Sequence, residues 1–184
     1  MSRAHSIVGF RPEGRPESDF YPTPPEAVKM LLNKFTFCER EAWEPACGDG
    51  AISKVLEGAG FAVHSSDLYD RGYGLAGMNF LETMTRPCNV LITNPPFIHA
   101  EKFLVHALNL GVRQIALLLK LPFLEGMQRS KVLESSPLQK VLVFRKRLSL
   151  YRDGEKMKNS GMIAFAWFVW DTDYIGTPEI GWLP

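Results

Sequence analysis

Cysteine is scarce in this chain: only Cys38, Cys47 and Cys88 occur among 184 residues. An odd, sparse set without paired spacing excludes a disulfide framework and a cysteine-based zinc site. The four histidines, His5, His64, His99 and His106, show no ligand spacing either, so no metal is expected. Long apolar runs are missing; none approaches the ~18 residues that a membrane span needs. Residues 1–10 lack the continuous apolar stretch of a secretory signal. The expectation is a cytoplasmic protein with no membrane partner. An excess of one charge is lacking too, with 21 Lys or Arg against 20 Asp or Glu. The hydrophobic share of 46% and charged share of 22% are ordinary for a globular chain, which excludes wholesale disorder. The length suits one domain with a full core.

The balanced total hides an uneven distribution. Residues 113–158 hold eleven Lys or Arg against four Asp or Glu, whereas residues 1–112 hold ten against thirteen. A basic third quarter suits contact with a polyanion. Residues 1–18 read as a flexible arm, in which Gly9, Pro12, Gly14 and Pro16 alternate with Arg11, Glu13, Arg15 and Glu17. Residues 19–184 read as a single domain.

Strands and helices alternate through that domain. Thr23 suits a helix N-cap, Pro24 the first helical position and Glu26 a capping box. Val28, Leu31, Leu32 and Phe35 follow at helical spacing. Further helices are expected over residues 51–59, 100–110 and 126–135. Strands are expected over 42–44, 61–66, 78–81, 89–93, 114–120, 140–146 and 163–170. The run from Gln114 to Lys120 is almost wholly apolar, as in a strand buried on both faces. The pattern predicts an α/β fold: a seven-stranded, mostly parallel sheet with helices on both faces. Ligands of such sheets bind beyond the carboxyl ends of the strands.

Three segments carry chemistry. The first is Glu44-Pro45-Ala46-Cys47-Gly48-Asp49-Gly50, which leaves a strand and opens a helix. Its glycines allow close backbone approach to a ligand, and free amides at the helix start favour a carboxylate. The second is Asp67 with Leu68, at the end of the next strand. An acid there, about twenty residues past the glycine turn, can accept hydrogen bonds from ribose hydroxyls. The third is Asn94-Pro95-Pro96-Phe97, again at a strand end. Its two prolines stiffen the backbone. The Asn94 side-chain oxygen and the Pro95 carbonyl can then converge on one spot, as an amino group gaining positive charge requires. Phe97 offers a flat face to a base taken out of its stack. Cys47 has no base partner in sequence and reads as a small packing residue rather than a nucleophile.

The order Tyr-Pro-Thr-Pro-Pro-Glu, Glu-Pro-Ala-Cys-Gly-Asp-Gly, Asp67 and Asn-Pro-Pro-Phe resembles the gamma-type amino-methyltransferases. These have the Rossmann-like class-I methyltransferase fold and include DNA adenine-N6 methyltransferases. The resemblance covers about residues 20–170 and is densest up to Phe97. It implies S-adenosyl-L-methionine as cofactor and makes residues 19–184 a methyltransferase catalytic domain. By the same resemblance, Thr23 and Pro24 border the cofactor's methionine part, Glu44 to Gly50 form the cofactor loop and Asp67 with Leu68 meets the ribose. Asn79 and Phe80 stand where the family touches the cofactor's adenine, with asparagine in place of the usual acid. Asn94, Pro95, Pro96 and Phe97 form the catalytic segment. The strand carrying Phe165, Trp167 and Phe168 edges the target-base pocket.

DNA enzymes with this order of segments usually carry a target-recognition domain after the last strand, and here fourteen residues follow Trp170. The reading is therefore adenine-N6 methylation of DNA with little sequence preference, or with a partner subunit supplying specificity. The alternatives are an amino group of adenine or guanine in RNA, a protein glutamine amide, and a non-catalytic subunit of a methyltransferase complex. Substrate contacts are assigned to Phe97 and to Arg145, Lys146 and Arg147, which lie together at a strand end. Replacing those three cations with alanine is expected to flatten the salt dependence of nucleic-acid binding, by roughly 0.9 in log–log slope for each duplex phosphate that is no longer neutralised. An unchanged slope in a salt titration would place the basic stretch elsewhere.

Overall fold

Every long strand of this protein sends alternate side chains into two separate apolar layers. The computed structural model describes residues 20–148, 151–152, 155–156 and 163–184; the expected arm, residues 1–18, lies outside them. In chain order the strands are β1 (Glu41–Glu44), β2 (Ala62–Ser65), β3 (Val90–Thr93), β4 (Gln114–Lys120), β5 (Leu138–Phe144), β6 (Tyr151–Arg152), β7 (Glu155–Lys156), β8 (Phe165–Asp171) and β9 (Glu179–Leu183). The α-helices are α1 (Pro25–Lys34), α2 (Ser53–Gly58), α3 (Ala100–Asn109) and α4 (Met127–Ser135). Seven strands form one sheet in the order β2-β1-β3-β4-β8-β5-β9, and β6 and β7 pair as a separate hairpin. All neighbours in the sheet are parallel except those of β8, which runs against both β4 and β5. Six strands therefore end at the same edge, and β8 begins there.

The two layers follow from the period of two along a strand. Ala116, Leu118, Phe165, Trp167 and Val169 face α1 and α2. Ile115, Leu117, Leu119, Ala166, Phe168 and Trp170 face α3, with Val132 and Leu133 of α4 at the margin. Trp167 and Phe168 are fully buried on opposite faces, so both are core. The Trp167 indole also donates to the Ala27 carbonyl of α1 at 2.9 Å, pinning that helix to the sheet.

Several boundaries differ from the sequence reading. Residues 78–81 are not a strand. The Asn79 side chain accepts from Leu81 N at 3.1 Å and caps a short 3-10 turn, Phe80–Glu82, in its place. The seventh strand is instead β9, whose Gly181, with Gly176 and Pro178 just before it, resembles loop punctuation. Gly181 is tolerated because it lies against Leu142; a Cβ there would meet that side chain at 2.7 Å. The fifth strand ends at Phe144, so Arg145 and Lys146 lie beyond it rather than within it. Thr23 does not cap α1, which starts at Pro25 with Pro24 in the cap position and no side-chain cap bond. The Thr23 hydroxyl is engaged elsewhere, by Asn94.

β9 is held by its parallel pairing to β5 and by Leu183, which is fully buried beside Phe144. Leu183→Ala is expected to lower the unfolding free energy by about 2–5 kcal/mol, the cost of a large-to-small change in a packed core. Urea denaturation followed by tryptophan fluorescence measures it.

Candidate active site

The loop after β1 turns sharply under two aromatic rings. Gly48 has φ +56° and Gly50 φ +81°, both in the left-handed region. A Cβ at Gly48 would overlap the Phe20 ring, and one at Gly50 would overlap the Tyr73 ring. Arg71 lies over the Phe20 ring as well, 4.3 Å from its centroid. The glycines thus serve both conformation and close packing.

Acidic side chains at or just past the ends of β1 and β2 wire this loop in place. Asp67 accepts from Gly48 N through one oxygen and from Tyr69 N through the other, each at 2.8 Å. The backbone joins the two segments again, with Cys47 N donating to Ser66 O and Ser66 N to Glu44 O, each at 3.0 Å. Glu44 is buried and accepts from both the amide and the hydroxyl of Ser53 at the start of α2. The Ala51 amide goes to Asp49 at 3.2 Å. Two amides at the helix start, those of Ala51 and Ser53, are therefore taken up by the chain's own acids. Burial pushes the Glu44 carboxyl well above the usual range, against the lowering effect of the Ser53 bonds. Burial, with Glu44 and Asp67 nearby, pushes the Cys47 thiol up to about 12. Cys47 is therefore a protonated, buried thiol, consistent with a packing role.

The third segment leaves β3 at Asn94. Its Nδ2 donates to the Tyr21 carbonyl at 3.2 Å and to the Thr23 hydroxyl at 3.1 Å. A carbonyl can only accept, so these bonds fix which end of the amide faces the Tyr21–Thr23 segment. The opposite end, Oδ1, is buried and has no hydrogen-bond partner among the described residues. A buried acceptor left without a donor costs free energy, and a ligand can recover it. Beside it, the Phe97 and Tyr21 rings are stacked, 16° from parallel with centroids 6.2 Å apart. Phe165 lies 5.7 Å from Phe97, and the Lys120 ammonium sits 4.4 Å from the Phe97 ring centre. Lys120 and Phe165 are paired residues of β4 and β8, at the edge where the six strands end.

The loop after β1, the segment around Asp67, the Asn94 segment and residues 20–23 line a cavity of about 240 Å³, whose lining does not include Phe97, Phe165 or Lys120. Of the residues expected at a cofactor site, Thr23, Glu44, Pro45, Ala46, Cys47, Asp67, Leu68, Asn79 and Phe80 line it, together with Asn94 and Pro96. Gly48, Asp49 and Gly50 shape the loop without lining it, and Pro24 and Pro95 do not line it either. Phe97 packs between Tyr21 and Phe165. Arg145, Lys146 and Arg147 are exposed just past the end of β5 and lie outside the cavity. Sequence reasoning gives no role to Phe20, Tyr21, Arg71, His99 or Lys120. Their only signal is proximity to a recognised segment, as with His99 two positions after Phe97. Among the described residues there is no cluster able to hold a metal ion, and no helix long and apolar enough to cross a membrane.

No family model matches the chain, and no curated protein matches it. Solved structures do. The chain is similar to the methyltransferase subunit of a type I restriction-modification system from Streptococcus thermophilus, with TM-score 0.61 and 11% identity over 85% of this chain and 46% of that one. It is similar to a modification subunit of a putative type I restriction enzyme from Vibrio vulnificus, with TM-score 0.56 and 14% identity over 87% and 46%. A putative RNA methyltransferase from Pyrococcus horikoshii gives TM-score 0.61 and 15% identity over 83% of this chain and 87% of that one. The chain spans less than half the length of the two restriction subunits. The fold is that of the Rossmann-like methyltransferases.

The raised Glu44 carboxyl carries a pH signature. Its folded value lies above its unfolded one, so its contribution to stability is full at low pH and is lost as pH rises through the folded value. Glu44→Gln keeps an acceptor for Ser53 and removes the titration. The variant's melting temperature is expected to exceed that of the wild type near pH 8, with the gap closing towards pH 4. Thermal melts across that range measure the gap.

Proposed function

We propose that this chain is an S-adenosyl-L-methionine-dependent methyltransferase acting on an exocyclic amino group, and that the acceptor is adenine N6 in DNA. The observation carrying this reading is the orphaned Asn94 Oδ1, held rigid in a cavity at the carboxyl edge of a Rossmann-like sheet. The residues present fit the cofactor. Asp67 and Glu44 supply acceptors near the loop, while Phe80 and Leu81 supply an apolar wall. Asp67 already receives two amides, yet each carboxylate oxygen retains acceptor capacity for a ribose hydroxyl.

When bound, the cofactor supplies a methyl group already activated on a sulfonium. The work left to the protein is alignment and electrostatic stabilisation. Asn94 Oδ1 accepts a hydrogen from the substrate amino group and stabilises the positive charge that grows on its nitrogen. The amide cannot turn away, because Tyr21 and Thr23 hold its other end. The aromatic group of Tyr21, Phe97 and Phe165 provides flat faces for an unstacked base. Lys120, with Arg145 to Arg147 at the same edge of the sheet, supplies positive charge for a phosphate backbone.

DNA is favoured over a peptide amide by this coincidence of an aromatic slot and cations. Sequence preference is expected to be weak, since direct readout needs side chains reaching base edges in a groove. A partner subunit is the alternative source of specificity. Asn94→Ala is expected to retain cofactor affinity within about twofold and to lose at least about a hundredfold in turnover on DNA, because the acceptor acts chiefly in the transition state. Turnover like that of the wild type would remove Asn94 from the chemistry.

A further inference from the structure

The cavity contains a second orphan. His99 lines it, and its Nδ1 is buried with no hydrogen-bond partner among the described residues. His99 closes the short turn Phe97–His99 and directly precedes α3, whose Phe103 packs on Phe80 at 4.6 Å. This end of the cavity is bounded by Met78, Phe80, Leu81, Ile98 and Phe103. Apart from His99, the polar side chain there is Asn79, and both its ends are engaged. Its oxygen accepts from Leu81 N at 3.1 Å, and its nitrogen donates to Glu82 at 2.7 Å. An apolar wall together with an unsatisfied ring nitrogen on a lining residue suits a planar heterocycle that presents a donor at its edge.

We propose that His99 is the residue that recognises the cofactor's adenine, its Nδ1 accepting a hydrogen from the 6-amino group, and that Asn79 only shapes the turn. This rests on the reading of the cavity as the cofactor site. It assigns the neutral histidine ring with the proton on Nε2.

Calorimetry with two ligands tests it: S-adenosylhomocysteine and its 6-deamino purine counterpart. The wild type is expected to bind the adenine ligand about tenfold or more tightly than the 6-deamino ligand, the effect of leaving a buried acceptor unpaired. His99→Ala is expected to bind both ligands alike. His99→Asn, which returns a carbonyl oxygen near the place of Nδ1, is expected to recover part of the preference. Asn79→Ala is expected to weaken both ligands equally and leave the ratio intact. A thermal melt without ligand checks that each variant is folded. If His99→Ala binds both ligands and keeps the wild-type ratio, the assignment to His99 is overturned while the cofactor reading stands. A move of the ratio in Asn79→Ala in place of His99→Ala also overturns it. If the wild type binds neither ligand, the cofactor reading fails and the role of His99 falls with it.

Discussion

Two hydrogen bonds from one amide join parts of the chain that are 73 and 71 residues apart. Asn94 Nδ2 holds the Tyr21 carbonyl and the Thr23 hydroxyl, fixing the segment that leads into α1 against the end of β3. The Tyr21 ring is thereby set beside Phe97, and α1 enters at the angle at which Trp167 reaches the Ala27 carbonyl. The same bonds leave Oδ1 buried and without a donor, on a residue that lines the cavity. A side chain held at one end and unsatisfied at the other is preorganised, and preorganised acceptors cost no rearrangement during a reaction.

A second constraint is electrostatic. Two acids, Glu44 and Asp67, are buried at the loop; both Asp67 oxygens accept from backbone amides, and one Glu44 oxygen accepts from the Ser53 amide and hydroxyl. Burying carboxyl groups is costly unless they are hydrogen-bonded. The resulting network ties β1, β2 and the start of α2 into one rigid unit. Positive charge lies over aromatic rings, with Arg71 on Phe20 and Lys120 on Phe97.

Much of this is legible in the sequence, for identifiable reasons. The strands β3, β4 and β8 are uninterrupted apolar runs, buried throughout or nearly so, and such runs announce themselves. The glycine loop, Asp67 and the Asn94 segment are marked by Gly and Pro, whose backbone demands are strong. β9 escapes a sequence reading because its neighbouring Gly and Pro look like a loop, and its strand character comes from pairing with β5. Residues 78–81 carry a strand-like pattern that a single capping bond from Asn79 overrides. The N-cap expected at Thr23 fails for a related reason, since its hydroxyl is engaged by Asn94, just past the end of a strand distant in sequence. His99 does not stand out from the other histidines, because metal spacing is the signal that a sequence offers for that residue. The burial of its Nδ1 and its place among the lining residues exist only in three dimensions.

The central claim is that this cavity delivers a methyl group to adenine nitrogen in DNA. The most direct measurement supplies the purified chain with methyl-tritiated S-adenosylmethionine and offers DNA, RNA and a protein extract in parallel. Each product is then digested to its monomers. The expected result is label in N6-methyladenine released from DNA. Label confined to RNA or to protein glutamine would contradict the DNA assignment. No incorporation into any of the three, despite measurable cofactor binding, would contradict the chemistry assigned to Asn94.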